Sequence, residues 1–290
     1  MPTTVIVPVY NGERFLAPLL DSLLAQSEPD WRCICVNDGS TDGSREILSR
    51  YAAHDGRITV VDQPNAGCGA ARNAALARVE TPFLMFADQD DVLHPQAVEI
   101  AAHAIEREKV DCLLFGFERF EGSPRLQRLA VDPPVVHTNR NGVNLITGRR
   151  NSWPIFVWRH IFRTASVRAI PFPPISGGED QAWMSELSWN NLSWASIDPV
   201  LYFNRADSAS RSRGVSDFYV RNVHDSYEWI RRRAKLYNID PRWTERYIRH
   251  MKFMFTLSCI YRKWLRSFAE SVFSCRQAPN SSRQKTPPAR

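Results

Sequence analysis

The feature that most constrains this chain is a rhythm. Five short, nearly continuous apolar runs punctuate the first 118 residues: TVIVPV (3–8), RCICVN (32–37), ITVVD (58–62), FLMFAD (83–88) and DCLLFGFE (111–118). Between them, apolar residues recur at helical spacing. The first such segment, 13–26, places Phe15, Leu19, Leu20, Leu23 and Leu24 on one face; Asp42 to Ala53, Ala70 to Arg78 and Pro95 to Glu108 follow. A strand with one wet face alternates apolar and polar residues, whereas a strand covered on both faces does not. Covered strands joined by helices predict a mostly parallel, doubly wound α/β sheet. Such sheets bind ligands beyond the carboxyl ends of their strands, and here a polar motif stands at four of those ends.

Residues 119 to 178 are less regular and rich in Pro, Arg and Trp. Glu179 to Asn190 reads as a helix and WASIDPVLYFN (194–204) as one or two strands. Ser216 to Leu236 and Arg242 to Phe273 are helical, aromatic and basic in pattern, and RQAPNSSRQKTPPAR has the composition of a disordered tail. The expected division is an α/β domain over 1–213, a helical extension over 214–275 and a basic tail over 276–290.

Charge narrows the function class. The net charge is +6, but residues from Arg242 onward hold eleven Lys and Arg against two acids, which leaves the rest mildly acidic. That argues against a nucleic-acid-binding body. No run approaches the ~18 apolar residues of a spanning helix. MPTTVIVPVYN lacks a basic leader, so no signal peptide is expected. Six cysteines without CxxC or Cys/His metal spacing read as reduced thiols of a cytosolic protein.

The motifs carry the chemistry. In VPVYN, Tyr10 lies past a strand end, where it is either a core-edge tyrosine or a platform for a flat ring. In VNDGSTDGS, Ser40, Thr41 or Asp42 can cap the next helix. Asp38 is not needed for that, and its carboxylate can accept the ring N–H of a base such as uracil. NAGCGAARN contains Gly67-x-Gly69-x-x-Arg72, a dinucleotide fingerprint broken by arginine at its third glycine, which disfavours a dehydrogenase. Arg72 in the first turns of a helix opposes the helix dipole, so it calls for a nearby anion, a carboxylate or a diphosphate. FADQDD crowds Asp88, Asp90 and Asp91 into four positions. Like charges repel, and a divalent cation such as Mg²⁺ or Mn²⁺ with a substrate diphosphate offsets that cost; a solvated turn is the alternative. In GGEDQAW, Glu179 and Asp180 open a helix, either as simple dipole partners or as a general base for a hydroxyl nucleophile.

As a set, in this order and at these distances, the five motifs resemble the family 2 inverting glycosyltransferases of GT-A fold, over roughly residues 3 to 211. The resemblance implies transfer of one sugar from a nucleotide-sugar, a UDP-sugar first, to a glycan or lipid-linked acceptor. It implies nucleotide contacts from Pro8, Tyr10, Asn11, Asp38, Arg72 and Asp88, with Tyr10 stacked on the base and Asp88 at the ribose. Asp90 would hold Mn²⁺ or Mg²⁺, Asp91 would support the loop, and Asp180 would be the base with Glu179 beside it. YFNRADSASRS (202–212) is similar to a family stretch whose Arg205, Ser208 and Ser210 would touch the diphosphate. The QxxRW motif and spanning helices of the membrane synthases are absent, which implies single transfer in surface-polysaccharide or lipid-linked glycan synthesis. VWRHIFRTASV puts Arg159 or His160 where the family often writes Lys. The expected location is cytoplasmic, with the basic, aromatic C-terminal helices either packed on the domain or resting on the anionic inner membrane face. Two other readings stand beside this one. A nucleotidyltransferase would need a Gly-rich loop near the start, where only Gly12 occurs. A non-catalytic nucleotide-sugar-binding module would have no use for Asp90 and Asp180.

Overall fold

The computed structural model describes residues 1–124, 126–138, 156–206 and 217–253. The tail over 276–290, Ser208, Ser210 and the aromatic positions from Phe255 onward lie outside the described residues.

The first half follows the rhythm. Strands β1 (Thr3–Val9), β2 (Trp31–Asp38), β3 (Ile58–Gln63) and β4 (Phe83–Phe86) lie in parallel order β3-β2-β1-β4. Helices α1 (Leu16–Leu24), α2 (Ser44–His54) and α3 (Cys68–Leu76) make the crossovers. After β4 a two-residue strand, β5 (Val92–Leu93), precedes α4 (Ala97–Glu108). Apolar side chains fill both faces of the sheet. Leu16, Leu19, Leu20 and Leu23 of α1, with Val98, Ala101 and Ile105 of α4, pack one face. Ala71, Ala75 and Leu76 of α3 pack the other. This two-sided burial is why the strands carry no alternation.

The second half departs from a simple parallel sheet. β6 (Cys112–Phe120) does not pair with β4. A four-residue strand, β8 (His160–Arg163), sits between them, antiparallel to both. β9 (Trp194–Arg205) runs parallel to β6 and takes β5 and β7 (Val135–Thr138) antiparallel on its other side. The sheet is therefore mixed. Strands β5 and β7 beside β9 are short, and the stretch that looked irregular in sequence supplies an inner strand.

On the α3 face, α5 (Thr164–Val167) leads to α6 (Glu179–Ser188). Phe172 and Trp183 stack at 4.5 Å and meet Phe86 edge-on. Helix α7 (Asp217–Leu236) packs on α6, where Arg233 and Tyr237 both bond the buried Glu186. The chain forms two compact units, Met1–Thr244 and Glu245–Arg290, so α7 belongs to the first. Residues 241–253 are helical.

Candidate active site

Because β1 to β4 are parallel, their carboxyl ends share one edge, and the loops leaving it meet there. The first group of loops is held together through backbone amides. Asn11 adopts a left-handed φ of 50°. Its N–H donates to Ser40 Oγ at 3.1 Å, while its Oδ1 accepts Thr41 N–H at 2.8 Å. Gly12 N–H reaches Ser44 Oγ, and Glu13 N–H reaches Asp42. Of the three candidate caps, Asp42 meets the Ser44 N–H, whereas Ser40 and Thr41 face Asn11. Asp38 is buried, and its carboxylate is largely engaged. Oδ1 accepts Gln63 Nε2 at 2.7 Å and Ala66 N–H at 2.8 Å, and Oδ2 accepts Gly67 N–H at 2.8 Å. One of the roughly four lone-pair positions of a carboxylate is left. Tyr10 is half-buried, and the Gln89 side chain clasps its backbone from both sides. Pro8 lies buried inside β1.

The second group centres on Arg72. Its guanidinium is 3% exposed and meets three carboxylates: Asp88 at 3.1 Å, Glu179 at 3.2 Å, and Asp180. It lies over the rings of Phe172, at 5.3 Å, and Phe86. The anion that Arg72 required is thus supplied by the chain itself. Two glycines make the meeting possible. A Cβ at Gly69 would stand 3.1 Å from Pro173 O and 3.4 Å from Phe172 Cβ, so glycine lets α3 close on the segment before α6. Gly178 takes φ 72° at the N-cap of α6 and turns Glu179 and Asp180 toward Arg72.

Glu179 and Asp180, 18% and 19% exposed, keep only part of their contact with water, and the shifts follow. Burial pushes the Asp180 carboxyl up to about 8; Arg72 pulls it down, and Glu179 and Asp88 push it further up. The Val157 backbone N–H, at the head of the short 3₁₀ turn Val157–Arg159, also lowers it slightly. Asp88, a third exposed, is pushed up to about 6 by burial, against Arg72 and with Asp90 and Glu179 beside it. Asp180 is therefore a carboxyl poised to exchange a proton near neutral pH.

Asp91 is fully buried and accepts from Tyr202 Oη at 2.8 Å, Asn204 Nδ2 at 3.1 Å and Arg205 N–H at 2.8 Å. Arg205 Nε holds the Asp90 carbonyl at 2.9 Å. Among the described residues, the Asp90 carboxylate makes no hydrogen bond or ion pair. An acidic side chain without a partner, in a turn whose other two carboxylates are engaged, fits a divalent cation completed by a diphosphate. No group of three or more His, Cys, Asp or Glu among the described residues forms a cage by itself.

Arg159 and His160 divide. His160 is wholly buried, pushed down to about 3 by burial and by Arg159, and stacked on Phe162. It is a core histidine. Arg159 is buried over Phe117 and lowered to about 10 by burial. Sequence reasoning missed Gln89, Val157 and Tyr202. Gln89, an amide set among acids, carried a signal; a backbone N–H such as that of Val157 carries none.

Comparison with known proteins follows this geometry. Residues 4–166 match the family described as Glycosyl transferase family 2, more than half the chain, and the chain belongs to that family. Asp180 lies beyond the matched segment. The chain is 31% identical over 55% of its length to glycosyltransferase EpsJ of Bacillus subtilis, covering 47% of that protein. Over 80% of its length it is 32% identical to poly(ribitol-phosphate) beta-N-acetylglucosaminyltransferase TarS of Staphylococcus aureus, covering 39% of it. The crystal structure of S. aureus TarS 1-349 in complex with UDP-GlcNAc superposes with a TM-score of 0.66 at 26% identity, over 81% of this chain and 66% of that one. The chain thus spans less than half the length of these two curated relatives.

Proposed function

We propose that this chain transfers one sugar from a UDP-sugar to a hydroxyl of a glycan or lipid-linked acceptor, inverting the anomeric carbon, in surface-polysaccharide or lipid-linked glycan synthesis. The observation that carries this reading is the pairing of a poised carboxyl, Asp180, with an uncommitted one, Asp90, across Arg72 and Asp88. The UDP-GlcNAc complex of a relative supports the donor class. Asp180 would take the acceptor proton as the oxygen attacks, oriented by Arg72, with Glu179 beside it. Tyr10 would stack on the base, and the remaining lone pair of Asp38 would accept its ring N–H. Pro8 and Asn11 would shape that pocket, and Asp88 would meet the ribose. Arg205, with Ser208 and Ser210, would face the diphosphate. Asp90 would hold Mn²⁺ or Mg²⁺, whose charge, when bound, would stabilise the departing nucleoside diphosphate. A non-catalytic module is not favoured, because unpaired acidic charge destabilises a fold that makes no use of it.

A thermal-shift panel of nucleoside diphosphates with Mn²⁺ tests this. UDP at a hundred times its dissociation constant adds about 2.7 kcal/mol. Stabilisation by ADP alone overturns the uridine assignment, and no stabilisation by any member overturns the function.

Among the described residues, no helix is long and apolar enough to cross a membrane. The basic segment from Arg242 supports peripheral attachment of a cytoplasmic protein to the anionic inner membrane face. Binding to anionic vesicles that falls as salt rises is expected; indifference at low salt removes the membrane from the proposal.

A further inference from the structure

The turn that carries Asp90 closes on itself through the Asp91 N–H to Asp88 C=O bond at 3.1 Å, and it is held from outside as well. Tyr202 is fully buried on β9, and its hydroxyl does two things at once. It donates to Asp91 Oδ2 at 2.8 Å and accepts the Asp88 backbone N–H at 2.9 Å. One hydroxyl therefore spans both ends of the turn whose middle residues are Gln89 and Asp90. β5 pairs with β9 in the register Leu93↔Tyr202, so the strand leaving the turn is laid against the residue that clamps it. Trp158 stacks on the Tyr202 ring at 4.7 Å and 18°. A packed path thus runs from Trp158 through Tyr202 to the turn that carries Asp90.

We propose that Tyr202, backed by Trp158, is the positioning residue that fixes Asp90 for its cation. The inference rests on the glycosyltransferase reading for the identity of the cation. Its mechanism is orientation: the Tyr202 hydroxyl touches no reacting atom, but it sets the backbone from which Asp90 projects. Losing a group that orients a metal ligand weakens metal binding about tenfold or more.

The test uses the full chain. Mn²⁺ is titrated calorimetrically with UDP at saturation, and amide hydrogen exchange is followed at Asp88. Tyr202→Phe keeps the stacked ring and removes only the hydroxyl. It should weaken Mn²⁺ about tenfold and speed exchange at Asp88, while UDP affinity without metal stays near wild type. Asn204→Ala removes an Asp91 bond but leaves the Asp88 clamp, so its effect on Mn²⁺ should be clearly smaller. Trp158→Leu touches no carboxylate, yet it should weaken Mn²⁺ too; it stands in for Tyr202→Phe if that variant does not fold. Unchanged Mn²⁺ affinity and unchanged Asp88 exchange in Tyr202→Phe overturn the proposal. Equal losses in Tyr202→Phe and Asn204→Ala also overturn it, because Asp91 alone would then matter. A wild-type chain that binds UDP but no Mn²⁺ sinks the metal reading, and exchange at Asp88 still decides whether Tyr202 holds the turn.

Discussion

The loops around Asp38 and the loops around Arg72 leave the same edge of one sheet, and they are put together in opposite ways. Around Asp38, side-chain acceptors are matched to backbone N–H groups: Asp38 to Ala66 and Gly67, Asn11 to Thr41, Ser44 to Gly12, Asp42 to Glu13. Three carboxylates, Asp38, Asp42 and Glu13, each accept backbone N–H groups there. Around Arg72, one guanidinium faces Asp88, Glu179 and Asp180, and Asp90 and Asp91 add two more acids close by. The first arrangement holds a shape. The second keeps excess negative charge in a partly dry place, which destabilises a fold unless a cation or a proton arrives. Substitutions in the first should therefore cost stability, and substitutions in the second should cost chemistry.

The sharpest break of that contrast is Asp180→Asn. Turnover should fall by roughly 10² or more, the scale of losing a general base. UDP binding and thermal stability should hold. Near-normal transfer would reduce Asp180 to a partner of the helix dipole.

Next comes pH, where the Arg72 cluster makes activity and stability run in opposite directions. Asp180 at about 8 and Asp88 at about 6 both lie above the ordinary carboxyl value of 3.8, so the folded chain binds protons that the unfolded chain has released. Their joint contribution to the stability of the metal-free protein is thus fully present near pH 4 and lost as pH rises toward 8; buried neutral His160 opposes it below pH 6.5, so net stability should fall between pH 6.5 and 8. kcat/KM should rise over the same range, about tenfold per unit below the Asp180 value, because the base must be ionised. Parallel slopes, measured by denaturant melts and initial rates, would contradict the assignment.

The smallest effect tests the other loops. Asp38→Asn exchanges an acceptor oxygen for an NH₂ and leaves a buried N–H at Ala66 or Gly67 unpaired. The cost should be about 1–3 kcal/mol of stability, read as a lower denaturation midpoint. A variant that loses UDP affinity with stability intact would show that Asp38 serves the base more than the loop.

How much of this was legible in the sequence follows from what each residue's neighbours are. The first four strands and their helices could be read because covered strands and amphipathic helices leave local patterns. Arg72 could be read as a cation in want of an anion, since the helix dipole is a local fact. Which anions answer it could not, because Glu179 and Asp180 come more than a hundred residues later. HIFR (160–163) is too short to stand out, and only its pairing with β4 and β6 makes it a strand. Asp38 looked available for a ligand because the folding back of Ala66 and Gly67 onto it is a tertiary event. His160 could not be separated from Arg159 until the fold set the imidazole against Phe162 and the guanidinium over Phe117.

The inserted strand also bears on how the chain is made. Met85 pairs with Ile161 and Leu113 with Ala195, so two inner edges wait for partners far downstream. As the ribosome delivers the chain, β1 to β4 can zip together once Phe86 is out, but the outer side of β4 stays bare until His160–Arg163 emerges. β6 waits for Trp194–Arg205. Throughout that interval the nascent protein offers an apolar ribbon with unmet N–H and C=O groups, the template on which other chains add. Fragments cut after the fifth apolar run should aggregate, while the first soluble truncation should reach past Arg205. The length of this domain is thus set less by its nucleotide-side loops than by the last strand needed to close its sheet.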